Sequence, residues 1–558
     1  LMKLSGAEVI IQCLLEQGVD IVFGFPGGAV LPLYDALYDA PIHHVRTVHE
    51  QGAIHAADGY ARSSGRIGVC IATSGPGATN IVTGLATAYM DSVPLVAITG
   101  QVATSQIGRD SFQEADMISL SMAITKHNFL VTDPQQLAVT IRRAFKIAGE
   151  GRPGPVLIDI PCDIQIMQID YQLPAETMEA AKAEQGELAG EALSQEILMK
   201  VQNLLQSAQR PVILVGGGVI RGSAGPALYS FAQRCRAPVV STLMGLGAFP
   251  GSEDQFLGLT GMHGHIKANN AIKHADVILA VSSRFSDRAT GSRGNYGNDK
   301  MIVHIDIDPS EMDKNVHAYV GLVGDIRCTL TQLTAILPNL SYNSWWQEIT
   351  SWQEERQCEA GDDLTAQWIM EYLNQAQAGK PTVYVTDVGQ NQMWAAQFLT
   401  IERPRSFITS GGFGTMGFGL PAAIGAKFAQ PDSDVIHIAG DGGFKMTGTE
   451  LYTAACEQKP ILSIVLDNQS LGMVRQWQQL FYKERYSQTL LKEFDFEQFA
   501  ASCGAQGMRV TTQVEFDQAF RRVAASHQLA VIIARIRPEQ LVVPMMTPGG
   551  VPGDYITF

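Results

Sequence analysis

Along the chain, short apolar runs rich in β-branched residues alternate with stretches whose apolar positions recur at helical spacing. The first helix is marked by Ser5 and Glu8 at capping-box spacing, by Ile11, Leu14 and Leu15 on one face, and by Gly18 as its stop. Strand Ile21-Val22-Phe23 then runs into Gly24-Phe25-Pro26-Gly27-Gly28. The alternation repeats through His44-Val45-Arg46-Thr47-Val48, Val69-Cys70-Ile71-Ala72, Leu95-Val96-Ala97-Ile98 and a strand over 156–160, closing near Asp163. A second block carries strands Val212-Ile213-Leu214-Val215, Val277-Ile278-Leu279-Ala280-Val281 and Ile302-Val303-His304-Ile305. A third carries Val435-Ile436-His437-Ile438-Ala439 and Ile464-Val465-Leu466. Strands alternating with helices predict parallel sheets covered on both faces. The expected fold class is therefore α/β, with doubly wound parallel-sheet domains over 1–165, 193–340 and 365–558. Residues 166–192, rich in Ala, Glu and Gln, read as a surface linker, and 341–364 as a second polar connection.

Composition supports that division. At 558 residues the chain exceeds what one core can organise, and about three domains are expected. Hydrophobic content of 46% against 17% charged describes a well-buried globular protein. A net charge of −15 argues against nucleic acid as a partner, since phosphate neutralisation needs clustered Lys and Arg. There is no apolar run of membrane-spanning length and no basic-then-apolar leader, so no membrane association is expected. Eight scattered cysteines with no C-x-x-C pair point to reduced thiols and a cytoplasmic setting.

The chemistry is most legible in the third block. Gly440-Asp441-Gly442 directly follows one predicted strand, and Asn468 ends the next, twenty-seven positions after Asp441. A helix between them is expected to open at Thr447-Gly448-Thr449-Glu450, with Thr and Glu at capping-box spacing. A strand–helix–strand unit of this kind brings both oxygen ligands to the carboxyl edge of one sheet, where open α/β folds bind ligands. Hard oxygen donors among glycines suit a magnesium ion that keeps water and holds a diphosphate. A bare Gly-Asp-Gly is common turn punctuation, but with this spacing and the closing Asn it resembles the thiamine diphosphate-binding motif. The resemblance implies Asp441, Asn468 and the Ser470 backbone as metal ligands, Gly440, Gly442 and Gly443 around the cofactor, and Asp467 as a turn residue. Thiamine diphosphate also needs one carboxyl group on its aminopyrimidine ring, which relays a proton to and from the thiazolium carbon. In this enzyme class the group comes from an amino-terminal strand–helix junction, the place of Glu50 in His49-Glu50-Gln51-Gly52-Ala53. By itself Glu50 reads as an acid favoured at a helix amino end. An acid in the first block and a diphosphate on the third imply one cofactor spanning two domains. The family achieves this across a dimer interface.

Over nearly its whole length the chain is similar to the catalytic-subunit family of acetohydroxyacid synthase, also called acetolactate synthase. The similarity rests on Phe25-Pro26-Gly27-Gly28-Ala29, Thr73-Ser74-Gly75-Pro76-Gly77-Ala78-Thr79-Asn80, Ile98-Thr99-Gly100-Gln101-Val102 and Asp110-Ser111-Phe112-Gln113-Glu114. It extends through Gly261-Met262-His263-Gly264 and Thr386-Asp387-Val388-Gly389-Gln390. The most selective stretch is Leu471-Gly472-Met473-Val474-Arg475-Gln476-Trp477-Gln478, whereas pyruvate oxidases and related decarboxylases share several of the others loosely. The resemblance implies that pyruvate adds to the cofactor and loses carbon dioxide, and that the hydroxyethyl carbanion attacks a second 2-keto acid. Pyruvate as acceptor would give 2-acetolactate and 2-ketobutyrate would give 2-aceto-2-hydroxybutyrate, the first common step of branched-chain amino acid biosynthesis. It further implies Gln113 and Phe112 at the reacting centre, Gly28 where the cofactor approaches backbone, and Met416 beneath the bent cofactor. Val388, Gly389, Gln390, Gly472 and Met473 are expected around the cofactor, with Arg288 for the acceptor carboxylate and Trp477 against its alkyl group. Acceptors differing by one methylene are separated by only about 1–3 kcal/mol in an apolar pocket. Arg is the better residue for a planar carboxylate because it pairs bidentately.

In the second block, Gly216-Gly217-Gly218 follows a strand as a pyrophosphate-binding turn would, but Arg221 stands where the dinucleotide fingerprint has its last glycine. Taken alone this is as much a structural turn as a ligand site. The family binds FAD in this domain without net redox chemistry, which implies FAD in this chain through Gly216–218, Met262, His263, Arg284, Asp306 and Asp325. One departure stands in Asp159-Ile160-Pro161-Cys162-Asp163, where the family usually has Lys in place of Cys162. The family also implies a homodimer or homotetramer with shared active sites, and a small regulatory subunit in some members. Alternatives are a pyruvate oxidase-like flavoenzyme, a catabolic acetolactate synthase and a non-catalytic protein that retains the fold. Intact Glu50, Asp441 and Asn468 argue against the last.

Overall fold

The central strands of the sheets are buried along nearly their whole length, and alternate residues of a strand feed different cores. Val96 and Ile98 point into one cluster and Leu95 and Ala97 into another. A strand buried on both sides needs helices on both sides, which a parallel sheet with crossover connections supplies. A computed structural model describes residues 2–173, 193–352, 363–547, 549–551 and 553–556. It contains three six-stranded parallel sheets, one in each third of the chain.

The first sheet runs, in spatial order, His43–Arg46, Ile21–Gly24, Gly68–Ala72, Leu95–Gln101, Pro155–Pro161 and His127–Leu130. The third runs Phe407–Ile408, Thr382–Thr386, Asp434–Gly440, Leu462–Asp467, Ala530–Arg535 and Gln506–Val510. Numbered within each domain, both follow the order 2-1-3-4-6-5. The middle sheet differs. Phe256–Leu259, Val239–Ser241, Pro211–Val215, Val277–Val281, Met301–Asp306 and Val320–Val323 follow the order 3-2-1-4-5-6. That is the dinucleotide-fold order, with its switch point between Pro211–Val215 and Val277–Val281.

The polar connections hold more structure than their composition promises. Within 166–192, Gln168–Tyr171 is a strand antiparallel to Met2–Ser5, and Ile169 and Tyr171 are buried in the first domain's core. Its alternation of exposed and buried residues is too short to stand out beside the Ala- and Glu-rich stretch that follows. Residues 174–192 lie outside the described residues. In 341–364, helix Asn343–Ser351 packs Trp345 and Ile349 into the middle domain, and the Trp345 indole donates to the Pro211 carbonyl at 3.2 Å. Two apolar residues one helical turn apart sufficed to bury that face. Residues 353–362 are likewise outside the described residues. Among those described, no helix is long and apolar enough to cross a membrane.

The first and third domains meet through helices Glu50–Ser64 and Gly419–Ala429, which cross on glycine and alanine. A Cβ at Gly425 would lie 1.9 Å from the Ala56 carbonyl oxygen, and one at Gly59 would lie 2.1 Å from that of Ala422. Backbone meets backbone here, so no flexible side chain can yield. Gly425→Val should therefore cost at least about 1–3 kcal/mol of stability. Chemical denaturation would measure this, and an unchanged midpoint would show that the crossing is looser than its geometry.

Candidate active site

Asp441 is the first residue of helix Asp441–Thr447, directly after strand Asp434–Gly440. This helix begins earlier than its capping signature suggested. Thr447 and Glu450 form no capping box, because the Thr447 hydroxyl donates to the Gly417 carbonyl at 2.8 Å and Glu450 is engaged by another domain. Asp441 is 1% exposed, and neither carboxylate oxygen has a protein donor among the described residues. Burial, reinforced by the neighbouring Asp467, pushes its carboxyl up to about 7. A buried carboxylate without a partner is costly, and a hard cation removes that cost. The residues thus fit a magnesium ion at this strand tip.

Asn468 follows strand Leu462–Asp467 on the adjacent position of the same edge. Its Nδ2 donates to Gln390 Oε1 at 3.1 Å, and its Oδ1 accepts from the Ser470 amide at 3.2 Å and hydroxyl at 3.0 Å. Asp467 is held by Arg509 at 3.3 Å and Arg535 at 3.2 Å, a structural pairing at the sheet edge. Gly472 is small for a stated reason: a Cβ there would fall 2.0 Å from Gln390 Oε1 and 2.8 Å from Asn468 Nδ2. Gly389 has φ 130°, a conformation that favours glycine.

Two further residues organise this edge, both inside motifs named above but with no role assigned to them there. Asp387, fully buried, accepts from the amides of Val388 at 2.7 Å, Gly417 at 3.0 Å and Gly419 at 3.3 Å. It therefore ties the Val388-Gly389 turn to the loop of Met416, while burial raises its carboxyl to about 6. Met416 in turn reaches over Gly442, its Cε 3.6 Å from where a Cβ would stand. Gly443 must also lack a side chain, since its Cβ would lie 2.5 Å from Asp387. Gln476, 0% exposed, accepts from Gln390 Nε2 at 3.0 Å and the Val542 amide at 2.9 Å, joining the carboxyl-terminal segment to the site. Its signals were its place in the family stretch Leu471 to Gln478 and its position as a Gln on the buried side of a helix.

On the first sheet, Glu50 opens helix Glu50–Ser64 and is 9% exposed. Its carboxylate accepts from Asn80 Nδ2 at 2.9 Å and abuts Gly77. Gly75, with φ 55°, packs against the backbone of Gln113, itself at φ 58°. Beside Gly28 the space is open. Phe112 is 88% exposed. Glu50, Gly28 and Gln113 thus share one domain, to which Asn80 and Gly77 beside the Glu50 carboxylate also belong. Cys162 is the partly exposed first residue of the short helix Cys162–Ile166.

Between the three domains lies a cavity of about 1810 Å³. Its walls include Gly216, Gly217, Gly218, Met262, His263, Arg284, Asp306 and Asp325 from the middle domain and Val388, Gly389, Met473 and Trp477 from the third. The three glycines sit at the switch point of the middle sheet, where a dinucleotide pyrophosphate is expected. Their lack of side chains is also required by the chain itself, since a Cβ at Gly216 would meet the Ser282 carbonyl at 1.8 Å. Arg221, the fingerprint's missing glycine, is buried on the same wall, and burial lowers its guanidinium to about 10. Arg152, another lining residue absent from the sequence reading, bonds Asp308 at 3.1 Å and Glu311 at 2.7 Å. Arg284 donates to the Met90 carbonyl at 2.6 Å. This cationic, glycine-floored crevice fits the phosphates of FAD.

Arg288 and Trp477, from different domains, meet on the cavity wall. The guanidinium stands 5.8 Å from the indole ring, and its Nη1 contacts Met262 Sδ at 3.1 Å. Met545 and Met546, both fully buried, pack with Trp477 and Met262 from below.

Comparison with known proteins matches this geometry domain by domain. Residues 4–120 match the N-terminal TPP binding domain of thiamine pyrophosphate enzymes, 198–333 their central domain and 387–534 their C-terminal TPP binding domain. Fold and site together define a thiamine diphosphate (pyrophosphate) enzyme. The chain is 45% identical to a probable acetolactate synthase large subunit of Methanocaldococcus jannaschii, over 98% of this chain and 94% of that protein. It is 44% identical to the acetolactate synthase isozyme 2 large subunit of Escherichia coli, over 98% of each. The identity is also 44% to an acetolactate synthase of Mycobacterium bovis, over 100% of this chain and 92% of that one. The chain belongs to the acetolactate synthase large-subunit family.

Gly472→Ala should displace Gln390 and Asn468 and weaken binding of magnesium with thiamine diphosphate by about 10–100-fold, as loss of ligand support does. Calorimetric titration of the purified variant would measure it. Parent affinity would show that this hydrogen bond does not orient the amide.

Proposed function

We propose that this chain decarboxylates pyruvate and joins the two-carbon unit to a second 2-keto acid. The products are 2-acetolactate from pyruvate and 2-aceto-2-hydroxybutyrate from 2-ketobutyrate, the entry to branched-chain amino acid biosynthesis. The observation that carries the reading is the Arg288–Trp477 pair on the wall of the interdomain cavity. A cation beside an indole face receives a molecule with a carboxylate at one end and a short alkyl group at the other. An acceptor 2-keto acid has that shape.

Thiamine diphosphate, when bound, supplies the acidic thiazolium carbon and the electron sink that decarboxylation needs. Asp441 and Asn468 would hold its diphosphate through magnesium, with Ser470 contributing from the adjoining turn. Gly440, Gly442 and Gly443 keep the strand tip open, and Val388, Gly389, Gln390, Met416 and Met473 line the cofactor's bed. Glu50 holds a proton at its carboxyl oxygen for the aminopyrimidine nitrogen, and Gln113 and Gly28 border the same edge. Arg288 binds the acceptor carboxylate, where its fork geometry gives two parallel hydrogen bonds. Trp477 presses on the acceptor's alkyl group, and Phe112 covers the reacting centre against water. FAD in the middle-domain crevice has a structural role.

Two copies of the chain share each site in this reading, as a homodimer or a tetramer built from it. The exposed Phe112, expected at the reacting centre, supports that arrangement. Relatives named large subunits support pairing with a smaller regulatory subunit. Among the described residues no disulfide joins the cysteines, which suits the cytoplasm.

With pyruvate, magnesium and thiamine diphosphate, the purified protein should form a product that yields acetoin on acidification. Oxygen consumption in its place would favour a pyruvate oxidase. Glu50→Gln should lower kcat by at least about 100-fold while the fold persists, as expected for loss of a general acid–base group; parent-like turnover would remove its role. In a competition between the two acceptors, Trp477→Leu should reduce the preference for 2-ketobutyrate by about 10-fold or more. An unchanged product ratio would mean that the indole does not read the alkyl group.

A further inference from the structure

Glu450 belongs to the third domain, yet its carboxylate is spent on the first. It is 1% exposed, and its two oxygens accept from the backbone amides of Val48 and His49, each at 3.1 Å. These residues immediately precede Glu50. The Thr453 hydroxyl donates to the same carboxylate at 2.6 Å and fixes its orientation. Gly52 completes the fit, since a Cβ there would lie 2.0 Å from Glu450 Oε1. The carboxylate therefore occupies the space over the first turn of the helix that Glu50 begins.

We infer that Glu450 is a positioning residue for Glu50, holding from another domain the turn that aims the catalytic carboxyl. The inference rests on the function proposed above, because it takes Glu50 as the group that meets the cofactor. A carboxylate whose two oxygens accept from consecutive amides fixes the peptide plane between them. That plane sets where the next residue points. Within the first domain the Thr47 amide donates to the Gly24 carbonyl at 3.3 Å and Asn80 to the Glu50 carboxylate at 2.9 Å, while the Thr47 hydroxyl donates to the His49 carbonyl at 2.9 Å and the Gln51 amide to His49 Nδ1 at 3.0 Å. The last two lie within the turn and move with it. Glu450 is the tie that refers the turn's last two amides before Glu50 to the third domain. The stretch that Glu450 ends begins at Asp441, so helix Asp441–Thr447 with the turn Gly448–Glu450 places the metal carboxylate at one end and the clamp on Glu50 at the other. A misplacement of about 1 Å at a proton-transfer group costs up to about 100-fold in rate.

The test is Glu450→Gln, which keeps the shape but presents an NH2 group to one of the two amides. In the cofactor-free protein, hydrogen exchange at Val48 and His49 should speed up by at least about 10-fold, as loss of a charge-assisted bond implies. In the loaded enzyme kcat should fall by about 10–100-fold with the KM for pyruvate unchanged. Gly52→Ala, which pushes the carboxylate aside without removing it, should reproduce both effects and covers the case in which Glu450→Gln fails to fold. Parent exchange rates at these amides, or parent kcat once the amides are freed, would overturn the inference. Failure of the functional reading looks different: an active Glu50→Gln enzyme would leave the amide result standing and remove the catalytic half of the inference.

Discussion

A carboxylate kept in the interior without a donor is among the more expensive arrangements a fold can hold, and Asp441 is kept that way. Nothing in the surrounding packing requires an acid at this position. The strand before it is apolar, the helix after it needs no cap from it, and Asp467 nearby makes ionisation harder. In the function proposed above, that cost would be removed from outside, by a cation that would carry the diphosphate. Much around it serves to leave that position open. Gly442 and Gly443 lack side chains, Asp387 holds the opposite turn by its amides, and Gln390 turns Asn468 into place.

The same economy recurs wherever domains meet. Polar side chains at these seams are aimed at backbone groups or paired charges of another domain, which gives register that apolar packing alone does not. Arg62 of the first domain, paired with Asp58 and Asp91, donates to the Thr409 carbonyl of the third at 2.9 Å. Asp91 accepts from the Gly412 amide at 2.8 Å, on the loop leading to Met416. Arg152 bridges to Asp308 and Glu311 of the middle domain. Each pair is buried or half-buried, so removing one partner would strand a charge. The glycine–alanine crossing of Glu50–Ser64 on Gly419–Ala429 brings the backbones close enough for these contacts to form.

What could be read beforehand follows from how local the signals are. Asp441 and Asn468 announce themselves because both ligands end strands, and strand, turn and spacing are all short-range. Trp477 and Arg288 were named through family resemblance, but their contact joins residues far apart in sequence on two domains, and no periodicity reports such a meeting. Asp387 was in view as part of a motif while its work was not, because its partners Gly417 and Gly419 are brought to it by tertiary packing. Glu450 was read as half of a local capping box. The long-range alternative won because two consecutive amides of another domain offer a carboxylate more than one helix amide does.

The middle domain shows the limit of fingerprint reasoning most clearly. Its glycine run looked equivocal, since Arg221 occupies a position where the dinucleotide motif needs a residue small enough for close helix–strand contact. The sheet order favours a ligand crevice there, because a switch point depends on topology and not on one glycine. With the crevice placed by strand order, Arg221 becomes intelligible as part of its wall. The Arg221 guanidinium lies on the same wall as Arg284; burial and the neighbouring cation lower its pKa, and an anionic ligand in the crevice would reverse that shift. The substitution that weakens the sequence signal thereby strengthens the electrostatic one.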